Sequence, residues 1–231
     1  MAPTPTPTER SVRVATIVAI VATCLSLASM FLPTGELIIR EPMATHRAAR
    51  SLYDLGKSTG AVKGFIASYR ASKVKKIGAK ILDRVAAHLP GRMQSQAADV
   101  QEAVAILDSL RDEDIDTAGK VMAVTLWTLI SLHVLLILLL QGTDVETSRL
   151  RVILSLAVAV VTAAVAVGVY VALRRIVDSA NVELEREMFA LRTGAYLLPL
   201  AALISLATVV ATVVTHTLAR SRRRPPAPLA A

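Results

Sequence analysis

Four stretches of the chain, residues 14–32, 121–143, 152–173 and 193–219, run for 19, 23, 22 and 27 positions without an acidic or basic side chain. At about 1.5 Å of helical rise per residue, each suits a hydrocarbon core of about 30 Å. Backbone amides in lipid must find partners within their own segment, and a barrel would need many short alternating strands that are absent here. The pattern predicts an all-α, polytopic membrane protein with four transmembrane helices, at 13–32, 121–141, 152–173 and 195–216, and a helical extramembrane cap.

The intervening segments have their own periodicity. In 61–89, Ile66, Val74, Ile77, Ile81 and Val85 recur at helical spacing beside Lys73, Lys76, Lys80 and Arg84. Pro90 and Gly91 interrupt the pattern, and Met93, Ala97, Val100, Val104 and Leu107 resume it through 92–116. The first arm has seven basic residues and one acidic; the second has two basic and seven acidic. Opposite charge on consecutive helices joined by a tight turn predicts an antiparallel hairpin within the insert at 33–120. Residues 36–57 are less patterned and could add a short helix. Residues 174–194 read as an amphipathic helix with Val177, Ala180, Leu184, Met188 and Leu191 on one face, expected to pack with the insert. Residues 1–12 and 217–231, rich in proline and arginine, read as disordered tails flanking the spans.

Composition agrees with the spans: 54% of the 231 residues are hydrophobic. The formal net charge of +8 would suggest nucleic-acid binding in a soluble chain, but arginines at the membrane boundaries explain much of it, so no nucleic acid is expected. With the long insert set aside, the side holding the termini and the 142–151 loop has eight arginines against four on the other, which places both termini in the cytoplasm. Phe31, Tyr170 and Tyr196 fall at the insert-facing ends of their spans, and Trp127 lies close to the corresponding end of its own, as interfacial anchors do. The single cysteine, Cys24, excludes an intramolecular disulfide.

Chemistry is sparse. Asp112, Glu113, Asp114 and Asp116 open like a calcium loop, but Thr117 stands where glycine is needed and Ala123 where glutamate is needed. No metalloprotease, nucleophile-elbow or phosphate-loop motif occurs, so no metal, cofactor or catalytic residue is expected. His133, inside the second span, is the candidate intramembrane polar residue. Ser155, Ala159 and Ala163, with Ala164 and Gly168, are the candidate helix-packing positions. Lys73, Lys76, Lys80 and Arg84 are the candidate surface for anionic lipid or a protein partner. The expected function is a non-enzymatic membrane protein whose extracytoplasmic cap binds a partner or scaffolds a complex, alone or as a homo-oligomer. The alternative is an oligomeric pore lined by Thr125, Thr128 and Ser131; an intramembrane enzyme ranks third.

Overall fold

The computed structural model describes residues 7–40, 45–70, 111–141, 143, 147–183 and 189–223. In chain order these form α1 (Pro7–Ser29), β1 (Pro33–Arg40), β2 (Thr45–Ser51), α2 (Leu52–Gly56), α3 (Ala61–Arg70), α4 (Asp112–Leu140), α5 (Arg149–Glu183), β3 (Phe189–Leu191) and α6 (Thr193–Arg223). Four of them, α1, α4, α5 and α6, are long and apolar enough to cross a membrane. The chain divides into two compact units. The bundle unit is drawn from Met1–Ser29, Thr128–Tyr170 and Leu197–Ala231, and the sheet unit from Met30–Trp127 and Val171–Tyr196.

Polarity in the bundle unit is the reverse of a water-soluble helix bundle. Ile17, Val21, Leu25, Leu135, Leu138, Val161 and Leu203 face outward, whereas Thr16, Thr23, Ser26, Ser155, Thr162, Ser205 and Thr212 are buried. Such an arrangement suits an apolar solvent, with polar groups paired inside. Ala19, Leu136, Leu140, Val158, Ala159 and Val209 form the central cluster. The helices also exceed their apolar stretches. α1 starts at Pro7, where the missing N–H costs nothing, and its buried Val12 packs on Ala219 in the last turns of α6. Parts of both segments expected as disordered tails are therefore helical.

The all-α expectation holds for most of the described chain and fails in the sheet unit, which contains a three-stranded antiparallel sheet of order β2-β1-β3. β1 pairs with β2 from Pro33↔Ser51 to Arg40↔Thr45, and with β3 from Gly35↔Leu191 to Leu37↔Phe189. Thr34 is the extra residue at a bulge in the β1–β2 ladder. Its hydroxyl accepts the Leu52 N–H at 3.1 Å, and its carbonyl accepts the Arg192 N–H at 2.9 Å. Two secondary-structure expectations change accordingly. Residues 36–57 supply mainly strand, with the short helix confined to α2. In 174–194, α5 continues unbroken to Glu183 and β3 follows. Asn181, near the end of α5, makes that exchange possible: its side-chain amide donates to the Phe189 carbonyl at 2.8 Å and accepts the Phe189 N–H at 2.9 Å, much as a neighbouring strand would.

α2 starts with a capping box. The Ser51 hydroxyl accepts the Asp54 N–H at 3.0 Å, while the Asp54 carboxylate accepts from the Ser51 hydroxyl at 2.8 Å and the Ser51 N–H at 3.2 Å. The Ser51 hydroxyl first, and the Ser51 amide second, hold the Asp54 carboxyl below its ordinary pKa. A folded value below the unfolded one of about 3.9 means stability that is present above that pH and lost as pH falls through the lower folded value. Asp54→Asn should flatten this part of the acid limb when unfolding is followed from about pH 5 to about pH 2. Ser51→Ala should cost about 1 kcal/mol at neutral pH.

Candidate functional site

His133 is fully buried in the bundle unit. Its Nδ1 lies 2.7 Å from the Leu129 carbonyl one turn earlier, and its Nε2 lies 2.8 Å from the Ser26 hydroxyl on α1. A carbonyl can only accept, so the ring proton sits on Nδ1 and Nε2 takes the hydroxyl proton of Ser26. Both ring nitrogens are thereby committed. This is a helix-to-helix clasp that ties α4 to α1. A second clasp lies nearby in sequence: Thr23 donates to the Ala19 carbonyl at 2.8 Å, so in its 2.7 Å contact with Ser205 it is the Ser205 hydroxyl that donates. The remaining buried hydroxyls follow the same economy. Thr16, Ser155, Thr162 and Thr212 donate to carbonyls three or four residues back in their own helices.

The small-residue candidates separate by face. Ser155, Ala159 and Ala163 are buried within the bundle, while Ala164 and Gly168 are exposed. Thr125 is half-buried and Thr128 and Ser131 are exposed. Lys73, Lys76, Lys80 and Arg84 lie outside the described residues, as does most of the predicted hairpin at 61–89/92–116. What is described of it is α3 and the beginning of α4. Lys63 on α3 pairs with Asp116 on α4 at 3.6 Å, and both are about half exposed, so the pair is worth at most about 1 kcal/mol. Asp112, Glu113 and Asp114 form the first turn of α4, where acidic groups complement the positive end of the helix dipole. Among the described residues, no group of three His, Cys, Asp or Glu side chains could hold a metal ion.

Three devices, two polar and one steric, have no counterpart in the sequence pattern. Arg151 enters the positive-inside count, yet its guanidinium donates to the Leu138 carbonyl at 2.8 Å, the Leu139 carbonyl at 2.9 Å and the Gln141 carbonyl, capping the C-terminus of α4. Glu36 on β1, with its side chain almost wholly buried, forms an ion pair with the partly exposed Arg192 just after β3. The third device is steric. A Cβ at Gly119 would stand 2.1 Å from the Thr59 carbonyl oxygen, one at Gly56 2.7 Å from Leu126 Cβ, and one at Gly194 2.5 Å from the Leu32 carbonyl oxygen. Gly119, Met122 and Leu126 share one helical face. That face of α4 meets α2 and the turn after it at backbone distance. Comparison with protein-family models, curated proteins and solved structures finds no match to this chain.

Proposed function

We propose that this chain is a non-enzymatic, multi-pass membrane protein, with both termini in the cytoplasm, whose extracytoplasmic unit binds a protein partner or scaffolds a membrane complex. The observation that carries this reading is the internal hydrogen bonding of the polar groups at His133 and Thr23. His133, Ser26, Thr23 and Ser205 satisfy one another or nearby carbonyls, and the four apolar stretches contain no carboxylate, lysine or arginine to bind a substrate or relay a proton. The sheet unit, by contrast, is a folded module with its own ladder, buried ion pair and capped helix. A module built to this extent on a chain of otherwise plain spans favours binding over transport.

The alternative is an oligomeric pore. It draws on Thr128 and Ser131, exposed on α4, which several subunits could turn towards one axis. One set of measurements separates the readings. In a Cys24→Ala background, a membrane-impermeant thiol cross-linker added outside intact cells should join Ser58→Cys to one discrete partner and leave Ser221→Cys unmodified. The purified protein should be silent in planar bilayers. Single-channel currents would replace the scaffold with the pore, and labelling of Ser221→Cys instead of Ser58→Cys would reverse the orientation.

A further inference from the structure

At the end of the bundle unit where α5 begins and α6 finishes lies a cavity of about 370 Å³, within the range of about 300–1,000 Å³ typical of ligand sites. Arg149 from α5 and Arg220 from α6 bring two guanidinium groups to it, with His216, Thr217 and Ser221 alongside, and Val152 and Val213 supply an apolar wall. None of the described residues lining it is acidic. Thr217 and Ser221 donate their hydroxyl protons to the Val213 and Leu218 carbonyls, so the guanidiniums are the principal donors. They suit the oxygens of a phosphate, which arginine can bind through two parallel N–H groups. The first turn of α5 adds the positive end of its dipole.

The order of polarity along the helices separates a lipid from a free anion. Val152 and Val213 lie three and seven residues further into the apolar stretches than Arg149 and Arg220, which is about 5–10 Å of helix. Beside the cavity, Leu150, Val214 and Leu218 are exposed. Cationic groups at the rim with an apolar wall below repeat the order of a glycerophospholipid, phosphate above and acyl chain beneath. We propose that this cavity is a binding site for the phosphate-bearing headgroup of an anionic membrane lipid. The assignment rests on the membrane reading above and is independent of whether the protein is a scaffold or a pore.

The test uses the full chain, purified in a neutral detergent and titrated with phosphatidylglycerol or phosphatidylcholine, with bound lipid counted by native mass spectrometry. One phosphatidylglycerol per chain should bind in preference to phosphatidylcholine. Arg149→Gln combined with Arg220→Gln should weaken that binding about 10- to 30-fold, as expected for two headgroup-contacting charges. The charge-matched pair Arg10→Gln and Arg13→Gln, at exposed positions of α1 that do not line the cavity, should change it less than about 3-fold, since the long-range attraction of both charges is screened by salt. Equal losses in both pairs, or equal affinity for phosphatidylcholine, would overturn the site. Displacement of the lipid by inorganic phosphate at millimolar concentration would overturn the lipid assignment in favour of a soluble phosphate ligand. A chain that stays monodisperse once detergent is removed would instead refute the membrane reading, a separate failure. Thermal unfolding of each variant without lipid identifies any loss caused by misfolding, and Arg149→Lys with Arg220→Lys, which keeps the charge, should restore binding in part.

Discussion

Arg192→Met should destabilise the sheet unit by about 3 kcal/mol, because it leaves the Glu36 carboxylate buried without its cation. Removing one member of a buried pair costs about 3–5 kcal/mol, and the lower end applies here because water already reaches part of the guanidinium. The reverse change should be milder. Glu36→Gln keeps an acceptor for Arg192 and strands only a side chain that solvent can hydrate, so about 1 kcal/mol is expected. Glu36→Leu with Arg192→Met should recover most of the loss, since an apolar pair needs no charge compensation. Hydrogen exchange of the β1 and β3 amides provides the readout, because the pair joins β1 to the residue that follows β3. Small, equal effects from both single substitutions would show that the pair behaves as a surface contact and that hydrogen bonding of the ladder alone holds β3.

The same ion pair explains why the sheet was hard to read. A half-buried strand is recognised by alternation of apolar and polar residues, and in β1 a buried position is occupied by glutamate. Its partner is 156 residues away, so no local window contains the reason for the substitution. β2, with the sequence Thr-His-Arg-Ala-Ala-Arg-Ser, has little intrinsic preference for strand and becomes one by pairing with β1. β3 has three residues, too few for any period, and its positioning by Asn181 depends on a side chain in a helix.

The four long apolar helices were legible for the opposite reason. A long stretch without charge is a property that every local window displays, and α1, α4, α5 and α6 cover all four stretches almost completely. The clasps between them were legible by one partner only. His133 stands out as a polar ring in an apolar run, but Ser26 is one of several serines and is 107 residues distant. Arg151 shows how one residue can satisfy two demands: it adds to the topogenic charge count, and its fork also closes the C-terminus of α4. The paired arginines of the cavity follow the same rule. Arg149 and Arg220 are visible singly in the sequence as boundary charges, and only the packing of α5 beside α6 turns them into one site.

Gly119→Val should have the largest steric effect among the described glycines of the sheet unit. Even the first carbon of a side chain there would lie 2.1 Å from the Thr59 carbonyl oxygen, and backbone cannot swing aside as a flexible side chain can. Overpacking of this kind costs about 1–3 kcal/mol and occasionally more, and a β-branched residue against a main-chain carbonyl belongs at the upper end. Relief requires α4 to part from the turn that follows α2, which also loosens the contacts of Met122 and Leu126 with Gly56. The Lys63–Asp116 pair, partly exposed, adds too little to prevent it. The variant should therefore unfold at lower temperature, with faster proteolysis between residues 52 and 61, while Thr59→Ala, which leaves the conflicting carbonyl in place, should not rescue it. Gly168→Ala is the matched control: nothing lies within 4 Å of its added carbon, so the gain in helix propensity should stabilise α5 by about 0.5–1 kcal/mol. If Gly119→Val melts with wild-type protein, α4 does not meet the turn at the distance described. A loss of stability in Gly168→Ala would place a second helix against its exposed face, and hence a second subunit.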